Sequence, residues 1–143
     1  MPHERERFHQ LLVRLASDHG DVIALQGETE RFTFRQLLAE VQLRTHNLRS
    51  RSPGTLVLAL DNGPQLLFWD LAALFSQRPC VIVPSFFSAA QFSHCIEQSG
   101  ASHVLCDPQW RGTLAELGFT RQEAFWVREA QPAAALPVGT AKI

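Results

Sequence analysis

The sequence predicts an α/β fold in which a parallel sheet is flanked by helices. Three observations predict it: short apolar runs alternate with helical patterns between residues 55 and 106, the connections are short, and three of the candidate helices begin at capping residues. Strands that are buried on both faces of a parallel sheet are almost continuously apolar, and the helices that connect them cover those faces. This part of the chain therefore has the pattern of a layered α/β domain.

The N-terminal segment predicts a helix followed by a small hairpin. Apolar residues recur at helical spacing at Phe8, Leu11, Leu12 and Leu15. Residues that stop a helix follow at about Ser17–Gly20. Residues 21–26 predict a short strand and residues 27–30 its turn. Arg31–Thr33 is then expected to pair back onto that strand.

A capping box predicts the start of the second helix. The Thr33 hydroxyl and the Gln36 amide can satisfy each other's backbone N–H groups, and an apolar face continues to about Ser50 through Phe34, Leu37, Leu38, Val41, Thr45 and Leu48. Pro53 and Gly54 then break the chain.

A βαβαβ pattern follows. Residues 55–60, 80–83 and 103–106 predict strands, whereas residues 65–76 and the segment after Ser88 predict helices. Asn62 or Gly63 is expected to cap the first of these helices, and Ser88 with Gln91 forms a second capping box. Short loops imply right-handed crossovers, which predicts layering like that of Rossmann and flavodoxin folds. Helical residues are expected again within Thr113–Leu117, and a last short strand at Phe125–Val127.

These elements divide the chain into three parts. Residues 1–20 are predicted as an N-terminal helix, 21–129 as the α/β region, and 130–143, which are rich in Ala and Pro, as a linker.

Composition excludes several classes of protein. The net charge is −1, charged residues make up 19% of the 143 residues, and no apolar run reaches the length of a membrane span. The N-terminus lacks a signal-peptide pattern, and three cysteines do not make a disulfide framework. We therefore expect a soluble cytoplasmic protein with no nucleic-acid partner and no membrane span.

The turns after the strands contain no familiar phosphate-binding or nucleophile motif. The turn after Leu60 has one glycine rather than G-x-G-x-x-G, and neither G-x-x-x-x-G-K-[ST] nor G-x-S-x-G occurs. The sequence thus predicts a fold suited to nucleotides without the usual phosphate cradle, and no catalytic or nucleotide-binding residue is assigned.

Cysteine and histidine pairs raise the question of a zinc site. His94-Cys95 and His103-x-x-Cys106 supply the right ligand types, but their spacing matches no common zinc pattern. Cys95 and Cys106 also lie on predicted core faces, which favours core packing over a metal site or a Cys–His nucleophile. No metal ligand is assigned.

Two further residue pairs have both a functional and a structural interpretation. Glu28 and Glu30 flank a turn, where a solvated surface is a better interpretation than acid–base catalysis. Phe86 and Phe87 follow a predicted strand end, where they either line an apolar ligand pocket or pack under the helix that starts at Ser88.

Four stretches in order resemble one family. Residues 24–37 are similar to an opening hairpin followed by "T-Y-x-E-L", and 55–62 to "V-A-L-x-L-x-N". Residues 71–84 are similar to "L-A-x-x-x-A-G-x-x-x-V-P", and 99–107 to "S-G-A-x-x-V-I-x-D". Together they resemble the N-terminal part of the adenylate-forming superfamily, which includes acyl- and aryl-CoA ligases, luciferases and the adenylation domains of peptide synthetases. Arg78 departs from the pattern, since the family usually has glycine there.

The resemblance implies a parent enzyme that joins a carboxylic acid to ATP and passes the acyl group to CoA or to the phosphopantetheine of a carrier protein. ATP, Mg²⁺ and the thiol acceptor are implied for that parent, and no cofactor is expected within residues 1–143. Phe86 and Phe87 become candidate residues of the acyl pocket. The family's phosphate loop, Ser/Thr-Gly-Ser/Thr-Thr-Gly-x-Pro-Lys, would follow Ala141-Lys142-Ile143, so the chain is expected to be an inactive N-terminal fragment.

A stand-alone α/β binding or interaction module without enzymatic activity is the alternative. A flavodoxin-like or response-regulator-like role is disfavoured because no acidic cluster or phosphate loop lies at the predicted strand ends. As a fragment, the chain would expose an apolar surface on which the remainder of the parent enzyme packs.

We therefore predict that the chain self-associates, because exposed apolar patches favour association. Light scattering should show species larger than a monomer, and a hydrophobic dye should fluoresce in its presence. A monodisperse monomer that binds no dye would contradict this prediction.

Overall fold

The computed structural model describes residues 2–131 of the chain. The chain divides into two compact units, each made of two separate pieces. The first unit, called here the helical unit, consists of Met1–Arg51 and Asn62–Gln77. The second, called the sheet unit, consists of Ser52–Asp61 and Arg78–Ile143. Most of the predicted linker, 132–143, lies outside the described residues.

The helical unit contains three helices and a hairpin. Its elements are α1 (Pro2–Asp18), β1 (Ile23–Gln26), β2 (Arg31–Thr33), α2 (Phe34–Arg49) and α3 (Pro64–Phe75). The two strands pair antiparallel, with Gln26 opposite Arg31, which confirms the predicted hairpin. One apolar core joins the helices through Leu12, Leu37, Val41, Phe68, Leu71 and Phe75.

The predicted capping box determines where α2 begins. Gln36 N donates to Thr33 Oγ1 at 3.2 Å, and Thr33 N donates to Gln36 Oε1 at 2.9 Å. Two backbone N–H groups that the first helical turn leaves unpaired are thereby satisfied. The helix ends at a cap on Ser50, as predicted.

An arginine connects α2 to α3. Arg44 donates from Nη1 to Glu40 Oε1 at 3.0 Å and from Nη2 to Gln65 Oε1 at 2.8 Å. Its guanidinium also lies over the rings of Phe68 and Trp69, 4.9 and 5.3 Å from their centroids. Because the side chain is only 13% exposed, these contacts hold a mostly desolvated charge between the two helices.

The sheet unit is built on a five-stranded mixed sheet in the order β4-β3-β5-β7-β6. Its strands are β3 (Leu56–Ala59), β4 (Cys80–Ile82), β5 (His103–Cys106), β6 (Thr120–Gln122) and β7 (Phe125–Val127). Strand β3 is parallel to β4 and to β5, which confirms the predicted βαβαβ core. Strand β7 was also predicted. Strand β7 pairs antiparallel with β5, which makes the sheet mixed, and β6, which was not predicted, pairs antiparallel with β7.

Two helices and one turn of 3₁₀ helix belong to the same unit: α4 (Ala89–Ser99), α5 (Arg111–Glu116) and the turn Pro108–Trp110. The predicted capping box at Ser88 is present, since Gln91 N donates to Ser88 Oγ at 3.1 Å and Ser88 N to Gln91 Oε1 at 2.8 Å. Gly100 ends α4 in the left-handed conformation, where glycine carries no Cβ penalty.

The loop before β3 is fixed by close packing. Gly54 has φ of +141°, and a Cβ at this position would collide with the Ser102 side chain. Arg78 Nη1 donates to the carbonyl oxygens of Ser52 and Gly54 at 3.0 and 2.9 Å. Arg78, the residue that departs from the family pattern, therefore holds this loop.

Arg128 makes several contacts just after β7. It donates to Glu97 Oε1 at 3.0 Å, to the Leu117 carbonyl at 3.1 Å and to the Ala101 carbonyl at 3.3 Å. Its guanidinium lies 4.5 Å from the centroid of the Phe119 ring. The side chain is 8% exposed, and its Nη2 has no hydrogen-bond partner among the described residues.

Several large apolar side chains are exposed, among them Phe8, Leu11, Val22, Ile23, Leu43, Leu74, Ile82 and Phe86. Within residues 2–131, no helix is both long enough and apolar enough to cross a membrane.

We predict that Arg128→Ala lowers the free energy of unfolding by about 2–3 kcal/mol, because it leaves the part-buried carbonyl groups of Ala101 and Leu117 without this donor and removes the packing of the guanidinium on Phe119. Urea denaturation followed by circular dichroism measures the change. The matched variant Glu97→Gln removes the half-exposed partner of the same ion pair and should cost less than about 1 kcal/mol. Equal losses in the two variants would contradict this assignment.

Candidate functional site

The carboxyl ends of the parallel strands form the first candidate site. Ligands of open α/β sheets usually bind beyond these strand ends. In the sheet unit, Asp61 follows β3, the Ser85–Phe87 segment follows β4, and Asp107 follows β5. Asp61 N donates to Asp107 Oδ2 at 2.8 Å, so the Asp107 carboxylate joins the ends of two neighbouring strands.

Phe86 and Phe87 have different environments. Phe87 packs against the core of the sheet unit, and its N–H donates to the Pro84 carbonyl at 3.2 Å. Phe86 is 82% exposed, and its ring meets that of Phe87 edge-on with centroids 5.8 Å apart. Phe87 thus has the core position that the sequence left open, and Phe86 is available to a ligand. A role for either in an acyl pocket remains a prediction.

Stacked aromatic rings lie in the core of the sheet unit. Phe92 of α4 and Trp110 of the 3₁₀ turn stack with centroids 4.3 Å apart and planes 11° from parallel. Both are buried, at 0% and 5% exposure. Their stacking fixes α4 against the segment after β5.

Burial disfavours the thiolate form of two cysteines of this unit, Cys95 and Cys106. Burial raises the pKa of the Cys106 thiol to about 11, with Arg111 acting in the opposite direction, and burial also raises the pKa of Cys95. Both residues pack against the core cluster, in agreement with the packing interpretation. Among the described residues, no group of three His, Cys, Asp or Glu side chains is placed to hold a metal.

The two histidines that neighbour these cysteines in the sequence, His94 and His103, have different environments. His94 is exposed on α4, whereas His103 is buried in β5 with Nδ1 2.7 Å from Ser102 Oγ. Its ring also meets Phe125 edge-on at 5.9 Å. His103 is therefore a packed and hydrogen-bonded core residue.

The turn after β3 contains Gly63. A Cβ added to Gly63 would meet no described atom within 4 Å, so packing among the described residues does not require glycine there. Gly63 instead precedes Pro64 at the start of α3. Glu28 and Glu30 are exposed in the hairpin turn, as expected of a solvated surface.

The helical unit contains a second candidate site that the sequence did not predict. A groove of about 510 Å³, called here the helical groove, is formed by α1, α2 and the end of α3. It is lined by Arg5, Glu6, His9, Gln10, Leu38, Val41, Gln42, Thr45, His46, Arg49, Phe75 and Gln77. Its polar members recur at helical spacing, a pattern that is equally typical of a solvated helix face, so sequence alone could not identify it.

Comparison with known proteins identifies the fold. The chain matches the family model described as AMP-binding enzyme over residues 12–139. No curated protein matches the chain.

Several solved structures are similar. A putative long-chain-fatty-acid CoA ligase from Rhodopseudomonas palustris has a TM-score of 0.68 at 17% identity, over 77% of this chain and 29% of its own. O-succinylbenzoate coenzyme A synthetase from Bacillus subtilis has a TM-score of 0.64 at 21% identity, over 74% and 29%. The N-terminal subdomain structure of NpsA from Klebsiella oxytoca has a TM-score of 0.62 at 16% identity, over 70% and 27%. The chain thus spans less than a third of each, and at these identities the likeness establishes the fold.

We predict that Cys106 resists alkylation. A thiol with a pKa of about 11 carries roughly a hundredfold less thiolate at pH ~8 than an unperturbed cysteine. Iodoacetamide labelling of the native chain, followed by peptide mass spectrometry, should therefore modify Cys106 slowly, and the rate should rise with pH beyond ~8. Labelling in urea is the control, because unfolding removes the burial. Fast native labelling at pH ~8 would contradict the predicted environment.

Proposed function

Because the chain belongs to the AMP-binding enzyme family, we propose that it is the N-terminal subdomain of an AMP-forming acid ligase. The carboxylate oxygen of the acid attacks the α-phosphorus of ATP, and pyrophosphate leaves with the bonding electron pair. A thiolate of CoA or of a carrier protein's phosphopantetheine then attacks the acyl carbon and releases AMP. The observation that carries the proposal is the family match over residues 12–139.

The described residues contribute framework rather than reacting groups to this proposal. Among them, no three His, Cys, Asp or Glu side chains are grouped to hold a metal ion such as Mg²⁺. No Mg²⁺-dependent step is assigned to these residues. ATP, the acid and the thiol acceptor would be bound with the remainder of the parent enzyme, and the chain alone would be catalytically silent.

Phe86 is the proposed contribution to the acyl pocket. It lies four residues after β4, whose carboxyl end is where open α/β sheets usually bind ligands, and it is 82% exposed. Its neighbour Phe87 supports it edge-on from the core. An aromatic ring held in this way supplies apolar surface for an acyl or aryl group.

The alternative is a natural α/β binding or interaction module without catalytic activity. The exposed apolar side chains suit such a module as well as they suit a subdomain. The two hypotheses differ in what the gene encodes after residue 143.

We predict that the reading frame continues past codon 143 into Ser/Thr-Gly-Ser/Thr-Thr-Gly-x-Pro-Lys. The longer product should catalyse exchange of pyrophosphate into ATP that depends on a carboxylic acid, measured over a panel of aliphatic and aromatic acids. The 143-residue chain is the matched control and should show no exchange. A stop codon directly after Ile143 would overturn the ligase proposal in favour of the binding module, and exchange by the chain alone would contradict its proposed inactivity.

A further inference from the structure

The floor of the helical groove is apolar and its size suits a small molecule. Val41 and Phe75 are 0% and 6% exposed, and Leu38 is half-buried beside them. Thr45 Oγ1 donates to the Val41 carbonyl at 2.7 Å, so this hydroxyl is already satisfied within α2. A volume of about 510 Å³ falls within the usual range for ligand pockets. The floor therefore favours the flat, apolar part of a ligand.

The walls of the groove carry an excess of positive charge. Arg5 and Arg49 line it together with a single carboxylate, that of Glu6. The side chain of Arg5 makes no ion pair or hydrogen bond with any residue from 2 to 131. Arg49 Nη2 donates to the Phe75 carbonyl at 3.0 Å, and within the same residues this is the one hydrogen bond of the Arg49 side chain. Guanidinium groups with spare donors bind carboxylate and phosphate groups in a bidentate manner.

An aromatic contact and amide groups add to the recognition surface. The ring of His9 meets that of Phe75 edge-on, with centroids 5.1 Å apart. Gln10 and Gln42 line the groove from α1 and α2, and each side-chain amide offers both a donor and an acceptor. These groups complement a planar ring with polar substituents.

Gln77 lines the groove in a strained conformation. Its φ is +61°, the left-handed region, directly after the cap of α3 where glycine is the usual residue. Residues in such conformations cluster at ligand-binding sites, where the function of the side chain offsets the cost of the backbone strain. A glycine would relieve the strain here and remove the amide from the groove.

From these observations we propose that the helical groove binds a small organic anion with a planar, apolar body and a carboxylate or phosphate head. The head pairs with Arg5 and Arg49, and the planar body lies against Leu38 and Phe75, above the buried Val41. This inference rests on the helical unit and does not depend on the ligase proposal.

The experiment is a titration of the isotope-labelled 143-residue chain, followed by backbone amide shifts in nuclear magnetic resonance spectra. Benzoate and AMP are the anionic probes, and benzamide and adenosine are their neutral counterparts. Saturable shifts that cluster on the residues of the helical groove should appear with at least one anion below about 10 mM. The matching neutral compound should bind about tenfold more weakly, because it lacks the head that the arginines recognise. Binding of benzoate alone would identify a carboxylate head, and binding of AMP alone would identify a phosphate head. Either result supports the proposal.

Two variants separate recognition from stability. Arg5→Gln should weaken binding of the anion by about fivefold or more. Arg7→Gln, an exposed arginine of the same helix outside the groove, should leave binding unchanged. Gln77→Gly should raise Tm and weaken binding together, whereas a purely structural role for Gln77 would move Tm alone.

Absence of saturable shifts with both anions would overturn the proposal. It would also be overturned by shifts that map outside the helical groove, or by equal affinity of Arg5→Gln and Arg7→Gln for the anion.

Discussion

Strand β3 holds the sheet unit together because it is the one strand of the described sheet that has parallel neighbours on both edges. It pairs with β4 through Leu56, Val57 and Leu58, and with β5 through all four of its residues. The first three side chains are fully buried and Ala59 is 3% exposed. Burial of each large side chain stabilises the fold by about 1.5–3 kcal/mol. The same strand leads to Asp61, whose N–H binds Asp107, so the position of the carboxyl edge also depends on it.

Arginine supplies much of the polar framework around these cores. The chain has twelve arginines and one lysine. Arg44, Arg78 and Arg128 each bind two or more groups in different directions, which a planar guanidinium does and a single ammonium group does not. Arg44 serves two helices of the helical unit, and Arg128 serves the ends of α4 and α5. The bias towards arginine therefore has a structural use within each unit.

Local signals made most of the fold predictable. Capping boxes at Thr33 and Ser88 identified the starts of α2 and α4, and the apolar run at His103–Cys106 matched β5 residue for residue. Strand β6 was missed because Thr120–Gln122 is exposed throughout and is held by pairing with β7 rather than by an apolar pattern. The turn between the two strands contains Glu123 at φ of +56°. Glutamate rarely adopts this conformation, so its presence in the sequence does not predict such a turn.

The candidate sites were predictable to different degrees. Phe86 and Phe87 could be placed at a strand end from their sequence position, but only packing distinguishes the exposed ring from the core ring. The helical groove depends on the packing of α1 against α2, which brings Arg5 and Arg49 to one surface from positions far apart in the chain. No local sequence pattern predicts that these two arginines lie on the same surface.

The division of each unit into two chain segments has a consequence for biosynthesis. Both segments of the helical unit have been synthesised once Gln77 has emerged from the ribosome. Strand β3 has been synthesised by then too, because it lies between those segments in the sequence although it belongs to the sheet unit. At that stage β3 has neither of its sheet partners, since β4 and β5 are still to be translated. A nascent chain therefore exposes an apolar strand until Cys106 emerges, and this interval is when a chaperone that binds extended apolar segments would act.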